Sequence, residues 1–159
     1  LPEWIDEIQT QGYKLDSVND RFEKNDWELL PAEEVTKIQV DCGALNELHT
    51  EVFRLFPNLE KLHLYELNPE TDLGGLETVH QLSELMLDYP ELQPALSHIA
   101  SVEFPKVEVL IIGGNGKHSD WAFLNQFPRL KELRLWQRLL ASGESIPGYR
   151  GKGKKYFRI

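Results

Sequence analysis

The chain has 159 residues, of which 41% are hydrophobic and 27% charged, and its formal net charge is −9 at pH 7. This length predicts a single domain with a sizeable core, and the apolar content excludes a disordered chain. No apolar run approaches the roughly 18 residues of a membrane-spanning helix, and the acidity disfavours nucleic acid and favours basic partners.

The start of the chain and its cysteine content indicate the compartment. The chain begins with Leu1 rather than Met and no signal-peptide pattern follows, so we expect a trimmed or excerpted product. The one cysteine, Cys42, excludes an internal disulfide framework and is typical of a reducing compartment. We therefore expect a cytoplasmic protein that does not bind membranes.

Residues 1–34 precede the periodic part of the chain. Pro2, followed by apolar residues such as Trp4 and Ile5, predicts a short amphipathic helix that ends near Gly12. A second apolar cluster stands among charged residues and comprises Phe22, Trp27, Leu29 and Leu30. Two interpretations are open: the segment caps the exposed edge of the repeats that follow, or it forms a separate binding arm.

From residue 35 onward, a hexamer with aliphatic residues at its first, fourth and sixth places occurs five times. The copies begin at residues 35, 59, 82, 107 and 130, so the period is 23–25 residues, and three copies follow a Phe-Pro step. Alternating aliphatic residues predict a strand with one buried face in each copy. The predicted strands are 36–41, 60–65, 83–88, 108–113 and 131–136.

A unit of this size cannot bury its apolar side alone. We therefore expect the units to stack into a parallel sheet with a continuous core, and each unit must return along the opposite side. The first and third returns have apolar residues at helical spacing, and the second contains Gly74-Gly75 and is predicted to be irregular. The fourth begins with a glycine-rich stretch, after which a helix is expected.

The hexamer L-x-x-L-x-L and its period resemble the leucine-rich repeat family, whose repeats span about 20–29 residues. The resemblance implies an α/β solenoid of five parallel strands with helical or irregular returns. It divides one domain into an N-terminal cap at 1–34, five repeats at 35–136, and a C-terminal cap with a basic tail at 137–159. The family's Asn or Cys at the third place after the hexamer is present only as Asn115. The chain thus resembles a small, irregular member of the leucine-rich repeat family, of the kind expected in bacteria.

No pattern in the sequence predicts catalysis. The glycine-rich stretch after the fourth hexamer ends in Lys117, but a phosphate-binding loop requires Ser or Thr next, where this chain has His118. The five histidines lack metal-ligand spacing, and one cysteine is present to assist them. We therefore expect a protein that is not an enzyme and that uses no cofactor and no metal.

The third and fifth residues of each hexamer, and the residue after it, are predicted to lie on the solvent face of the sheet. The middle of this face is apolar and aromatic with charges around it, which is typical of a protein-binding surface. The candidate partner-binding residues are His63, Tyr65, Met86, Asp88, Tyr89, Val109, Ile111, Arg134 and Trp136. Alternatively, the tail or the N-terminal arm covers part of this face, or Val109 and Ile111 reflect strand propensity alone.

The face and the resemblance together predict a protein-interaction module. In the leucine-rich repeat family the corresponding face is concave and commonly binds proteins. A second hypothesis is an acidic cognate inhibitor, such as a bacterial immunity protein that occludes a basic toxin or enzyme active site. A third is a recognition domain excerpted from a longer multidomain chain.

Overall fold

A seven-stranded open sheet dominates the part of the protein that the structure describes. The computed structural model describes residues 2–43, 49–115, 120–135 and 155–158. The strands lie in sequence order, and they are β1 Lys14–Val18, β2 Lys37–Asp41, β3 Lys61–Tyr65, β4 Glu84–Glu91, β5 Val109–Asn115, β6 Glu132–Leu135 and β7 Lys155–Arg158. The α-helices in these ranges are α1 Glu3–Thr10, α2 Lys24–Trp27 and α3 Leu96–Ala100. None of them has the length and the apolar run that a membrane crossing requires.

The five hexamers form strands β2 to β6, and each strand pairs in parallel with the next. The fourth hexamer residues stand at one level across the sheet: Ile38, Leu62, Leu85, Leu110 and Leu133. The sixth residues form a second row: Val40, Leu64, Leu87, Ile112 and Leu135. Every member of both rows is 0% exposed. The predicted α/β class and the parallel pairing of consecutive hexamers are therefore confirmed.

Aromatic side chains extend the aliphatic rows into a second layer of the core. The Phe-Pro steps bury Phe56, Phe104 and Phe127, and the rings of the last two stack with centroids 4.7 Å apart. The N-terminal segment adds Trp4, whose ring meets Phe56 edge-on at 5.3 Å and stacks on Trp27 at 5.8 Å. Residues before the first hexamer thus pack on the return of the first repeat.

The returns consist mainly of short 3₁₀ helices, including the first, where the spacing indicated a helical face. These 3₁₀ helices span Thr50–Leu55, Gly74–Thr78, Gln93–Ala95 and Ala122–Gln126, and the third return continues as α3. The first two returns approach closely, because the N–H of Gly75 donates to Thr50 Oγ1 at 3.0 Å. A side chain at Gly75 would overlap the backbone of Thr50 and Glu51, so this contact requires glycine.

A shared backbone hydrogen bond joins each repeat to the next. The carbonyl of Thr36, the second residue of the first hexamer, accepts the N–H groups of Glu60 and Lys61 at 2.9 and 3.0 Å. At the same place in the next three hexamers, the carbonyls of Glu60, Ser83 and Glu108 each accept two N–H groups of the following repeat, at 2.8–3.1 Å. Each carbonyl uses both of its lone pairs, and the start of each strand is fixed to its neighbour.

The first hexamer has no preceding repeat, and the side chain of Asn19 supplies the missing acceptor. Its Oδ1 accepts the N–H groups of Thr36 and Lys37 at 2.8 and 3.1 Å, the two places that a carbonyl serves in later repeats. Its Nδ2 donates to the carbonyl of Glu34 at 2.8 Å. Asn19 has a left-handed backbone with φ 53°, a conformation that asparagine tolerates better than most residues.

Two strands and two strand ends were not predicted. β1 pairs antiparallel with β2, and β7 pairs in parallel with β6, with Lys155 opposite Glu132. These two residues are 23 positions apart in the sequence, so β7 keeps the period without the aliphatic pattern. β4 and β5 also continue beyond the predicted ends, to Glu91 and Asn115. Residues 137–154 of the expected C-terminal cap lie outside the described residues.

Leu85→Ala tests the contribution of the aliphatic rows. Leu85 lies in the middle strand of the hexamer stack and is 0% exposed, so truncation should lower the free energy of unfolding by about 2–5 kcal/mol. Urea unfolding followed by circular dichroism measures this loss. Glu60→Ala, at an exposed side chain, is the control and should change it by less than about 0.5 kcal/mol. A loss below about 1 kcal/mol for Leu85→Ala would mean that this side chain is not a core residue.

Asn19→Ala tests the side chain that replaces a carbonyl. It leaves two backbone N–H groups without their acceptor, so we expect a loss of about 1–3 kcal/mol in unfolding free energy. It should also give faster amide hydrogen exchange at Thr36 and Lys37. Asn19→Asp keeps the acceptor oxygen and should lose less in both measurements. Equal losses for the two variants would contradict the proposed acceptor role.

Candidate functional site

The outward face of the sheet is organised in rows by the strand register. The third hexamer residues form the first row: Lys37, Lys61, Glu84, Val109 and Glu132. The fifth residues form the second row: Gln39, His63, Met86, Ile111 and Arg134. In the third row, Asp41 pairs with Tyr65, and Asp88 with Gly113. Because side chains alternate along a strand, these rows lie opposite the aliphatic core.

Four polar side chains from four neighbouring strands are joined by hydrogen bonds across this face. Ser17 Oγ donates to Gln39 Oε1 at 2.5 Å, and Gln39 Nε2 lies 3.3 Å from His63 Nδ1. His63 Nε2 lies 2.7 Å from Glu84 Oε2. Ser17 is 0% and His63 8% exposed, so these groups depend on one another rather than on bulk water.

The network assigns one direction to its hydrogen bonds. Because Gln39 Oε1 accepts from the Ser17 hydroxyl, the amide Nε2 faces His63 and donates to Nδ1. With Nδ1 as acceptor, the neutral imidazole carries its proton on Nε2, which donates to the Glu84 carboxylate. Every donor in the series thus meets an acceptor when His63 is neutral and Glu84 is ionised.

The charge on Glu84 is favoured by its surroundings. The hydrogen bond from His63 lowers the pKa of the Glu84 carboxyl, against the opposing effect of burial, and the charges of Lys61 and Arg134 also lower it. Arg134 has its own partner, because its Nε lies 2.8 Å from Glu132 Oε1. The hydrogen-bonded pair His63–Glu84 and the ion pair Glu132–Arg134 therefore lie on either side of the centre of the face.

The centre of the face is closed, which corrects the expectation for two candidate residues. Met86 is 0% exposed and Ile111 is 3% exposed, although neither belongs to the aliphatic core. These exposures are those of a single chain, so the chain's own atoms cover both side chains. Neither residue is available as a solvent-exposed anchor.

Tyr89 is also corrected. It follows Asp88 on β4, so the alternation of side chains points it to the opposite face, where it is 1% exposed within the aliphatic core. Burial raises the pKa of its hydroxyl, and no group among the described residues accepts a hydrogen bond from it. Tyr89 therefore does not belong to the outward face.

The other candidate residues divide into two groups. His63, Tyr65, Asp88, Val109 and Arg134 lie on the outward face, as the alternation predicted. All but His63 are partly exposed. Trp136, which was expected to end the third row, lies outside the described residues.

The carboxyl ends of β2, β3 and β4 carry a cluster that we call the acidic edge: Asp41, Tyr65, Glu66 and Asp88. Asp88 Oδ2 accepts the backbone N–H of Glu66 at 3.2 Å, so this carboxylate holds the turn after β3. In the described part of the chain, no basic side chain lies within ion-pair distance of Glu66 or Asp88. Glu66 is exposed and Asp88 half-buried, so the acidic edge concentrates negative charge at this end of the sheet.

Tyr65 lies in the middle of the acidic edge. Its side chain is partly buried, and its ring meets the His63 ring edge-on at 6.5 Å. Burial raises the pKa of its hydroxyl, and the charges of Asp16 and Asp88 act in the same direction, whereas Lys37 opposes them. The phenol thus keeps its proton near neutral pH, and its ring and hydroxyl stand among carboxylates.

The described residues hold no group of three His, Cys, Asp or Glu side chains placed to bind a metal ion. Cys42 is free and buried, and burial raises the pKa of its thiol to about 12, so little reactive thiolate forms near neutral pH. The end of the glycine-rich stretch, residues 116–119, lies outside the described residues. Neither Cys42 nor the metal-ligating residue types thus form a recognisable catalytic group in the described ranges.

The sequence analysis missed Ser17 and Glu66. The alternation in residues 14–18 was the signal for β1, but one short strand with charged residues at its start is weak evidence. Glu66 had no signal, because its position depends on a left-handed backbone with φ 53° directly after β3.

Comparisons with protein-family models, curated proteins and solved structures find no match to this chain. The site is therefore interpreted from its own geometry and charge. It consists of an outward face with a closed centre, one hydrogen-bonded pair and one ion pair beside that centre, and an acidic edge around Tyr65.

The His63–Glu84 hydrogen bond predicts a pH-dependent contribution to stability. The folded-state pKa of Glu84 is lowered from an unfolded value of about 4.3, so the ionised carboxylate stabilises the fold above that pH. Glu84→Gln keeps the shape and an acceptor oxygen but removes the charge. We expect the wild type to be more stable than Glu84→Gln at neutral pH. The difference should shrink as the pH falls below about 4.3 and through the folded pKa.

Urea unfolding midpoints measured between neutral pH and about pH 3 check this prediction. Glu77→Gln is the matched control, because its exposed carboxylate lies away from the outward face. We expect the stability difference of the control to be small over the whole range. A difference between wild type and Glu84→Gln that does not change with pH would contradict the role assigned to His63.

Proposed function

We propose that this chain is a small leucine-rich repeat protein that acts as an interaction module and binds a basic protein at its acidic edge. The observation that carries the proposal is the placement of Tyr65 among Asp41, Glu66 and Asp88 at one edge of the sheet. Aromatic anchors bordered by charges are typical of binding hot spots. Charge of one sign steers an oppositely charged partner and sets the register of the contact.

The repeat architecture supports the proposal. Five hexamers in parallel register, joined by one carbonyl position per repeat, are what a solenoid of stacked units requires. The outward rows then form an extended surface, as in repeat proteins that bind partners along one face. The solenoid and the family assignment are part of the proposal.

The contact differs from the one expected from the sequence. Met86 and Ile111 are buried, so the centre of the face contributes support rather than contact. The partner instead approaches from the carboxyl ends of the strands, where Tyr65 is partly exposed and Glu66 is exposed. His63 lies beside Tyr65 on the same face, and its ring meets the Tyr65 ring edge-on.

A cognate inhibitor of a basic toxin or enzyme is a more specific form of the same function. The acidic edge favours it, because carboxylates around one aromatic side chain suit occlusion of a basic active site. A toxin gene beside the gene of this chain would favour the inhibitor. A recognition domain of a longer protein would instead have its partner or its catalytic unit on the same chain.

The proposal also includes a non-enzymatic protein in the cytoplasm. A free, buried cysteine is typical of proteins kept in a reducing compartment. Surface complementarity alone accounts for the proposed activity, so no cofactor enters it.

The proposal predicts that Tyr65→Ala makes the free energy of binding to a partner recovered by pull-down less favourable by about 2 kcal/mol or more. Glu66→Gln, which removes one exposed charge, should weaken binding less and reduce its dependence on salt. Titration calorimetry at low and high salt measures both effects, and melting curves check that each variant is folded.

Two matched controls accompany these variants. Leu29→Ala truncates an exposed apolar side chain elsewhere, and Glu77→Gln removes a charge away from the edge. Both should bind like the wild type. If Tyr65→Ala and Glu66→Gln also bind like the wild type, the acidic edge is not the binding site.

A further inference from the structure

An apolar groove of about 270 Å³ opens between α1, the start of β1 and the segment around α2. Its floor consists of Ile5, Ile8 and Trp27, which are 1%, 1% and 6% exposed. Its wall includes Tyr13, whose hydroxyl already donates to the carbonyl of His49 at 2.5 Å. The groove is thus built from groups that the fold holds rigidly.

Phe22 lines the groove and is 69% exposed. It and Leu29 are the large hydrophobic side chains that the described part of the chain leaves exposed. Unlike Leu29, Phe22 lines an apolar concavity, so its exposed ring forms one side of the groove. Apolar concavities with a few polar groups are typical of small-molecule binding sites.

The charge of the groove is opposite to that of the protein. The chain has 26 acidic and 17 basic residues, yet the charged residues that line the groove are Lys14 and Lys24. Lys14 lies 3.5 Å from Asp41 with its side chain 66% exposed. Lys24 has no ion pair among the described residues. A ligand with a negative charge would therefore meet attraction here and repulsion over most of the surface.

Apart from the amide of Gln9, which offers both a donor and an acceptor, the polar side chains that line the groove are hydrogen-bond donors. The indole Nε1 of Trp27 is buried and has no hydrogen-bond acceptor among the described residues. The ammonium groups of Lys14 and Lys24 are also donors. A ligand that fits must therefore combine an apolar body with an acceptor group.

We infer that this groove binds a small amphipathic carboxylate, an alkyl or aryl acid. Its apolar body lies on Ile5, Ile8 and Phe22, and its carboxylate meets Lys24, with Lys14 as the second cation. The volume is below the roughly 300–1,000 Å³ of typical drug-sized ligand pockets, so the ligand is small. This site has the opposite charge from the acidic edge and is independent of the function proposed above.

A second groove on the same chain provides an internal comparison. It has a volume of about 250 Å³ and an apolar lining of Leu76, Val79, Leu82 and Phe104, and its charged lining residues are two carboxylates, Glu77 and Glu103, and one lysine, Lys106. The two grooves are similar in size and apolar character and differ in charge. An acid that binds through its apolar part alone would enter both, whereas the inferred site selects the groove whose lining has two lysines and no carboxylate.

Titration of the full chain with decanoate, followed by ¹H–¹⁵N NMR, tests the inference. The indole N–H resonance of Trp27, assigned with Trp27→Phe, should shift on addition of submicellar decanoate. Resonances around Leu82 and Phe104 should not shift. Decyltrimethylammonium has an alkyl chain of similar length to that of decanoate but a positive charge. It should bind at least about tenfold more weakly than decanoate, a difference of about 1.4 kcal/mol.

Two variants at exposed side chains probe the two parts of the ligand. Lys24→Glu should lower the affinity for decanoate at least about tenfold and remove the preference for the anion. Phe22→Ser should lower the affinity for both amphiphiles. Two control variants lie at exposed positions outside the groove. Arg129→Glu likewise reverses a positive charge, Leu29→Ser likewise removes a large apolar side chain, and both should bind like the wild type. Melting curves check that all four variants are folded.

Several results would overturn the inference. They are an unchanged Trp27 indole resonance at millimolar decanoate, equal binding of the cationic amphiphile, and an unchanged affinity for Lys24→Glu. An acidic apolar peptide that binds where decanoate does not would show that the groove is a protein contact instead. Because Tyr65 and Glu66 are unchanged in these experiments, failure here leaves the proposed binding at the acidic edge untouched.

Discussion

The structure depends on one backbone carbonyl per repeat, the second residue of each hexamer, which accepts two N–H groups of the next repeat. A carbonyl that serves two donors fixes both the distance and the level of the following strand. Once that level is fixed, the fourth and sixth residues of neighbouring hexamers must meet, and the aliphatic rows close into one core. The outward rows are aligned by the same constraint, so the core and the candidate site have one origin.

The ends of such a stack pose a physical problem, because the first strand has no neighbour to supply a carbonyl. Asn19 solves it with a side-chain amide that reaches the same two N–H groups. Trp4 and Trp27 then extend the aromatic layer that Phe56 begins. The segment before the first repeat thus completes both the polar and the apolar pattern of a repeat without sharing its sequence. This interpretation agrees with a cap rather than a separate arm.

The surface separates charge by position. Glu66 and Asp88 leave the carboxyl ends of the strands strongly negative, whereas the N-terminal groove carries Lys14 and Lys24. The two regions adjoin at the Lys14–Asp41 pair, which is exposed on the lysine side and held at 3.5 Å. An acidic protein therefore offers one surface to cations and a second, smaller one to anions. Neither surface uses the closed centre of the sheet.

The sequence by itself determined the parallel strands, the aliphatic rows and the rows of the outward face, because these follow from alternation within a hexamer and from its period. It did not determine which outward residues reach solvent. Met86 and Ile111 lie in the outward rows and are nevertheless buried, and alternation within a hexamer carries no information about how closely an outward residue is surrounded. The roles of Asn19 and Ser17 likewise depend on where an antiparallel strand places them beside β2. Contacts inside a repeat are local and repeated, whereas those of the face and the first edge are made once, between segments that only the tertiary structure brings together.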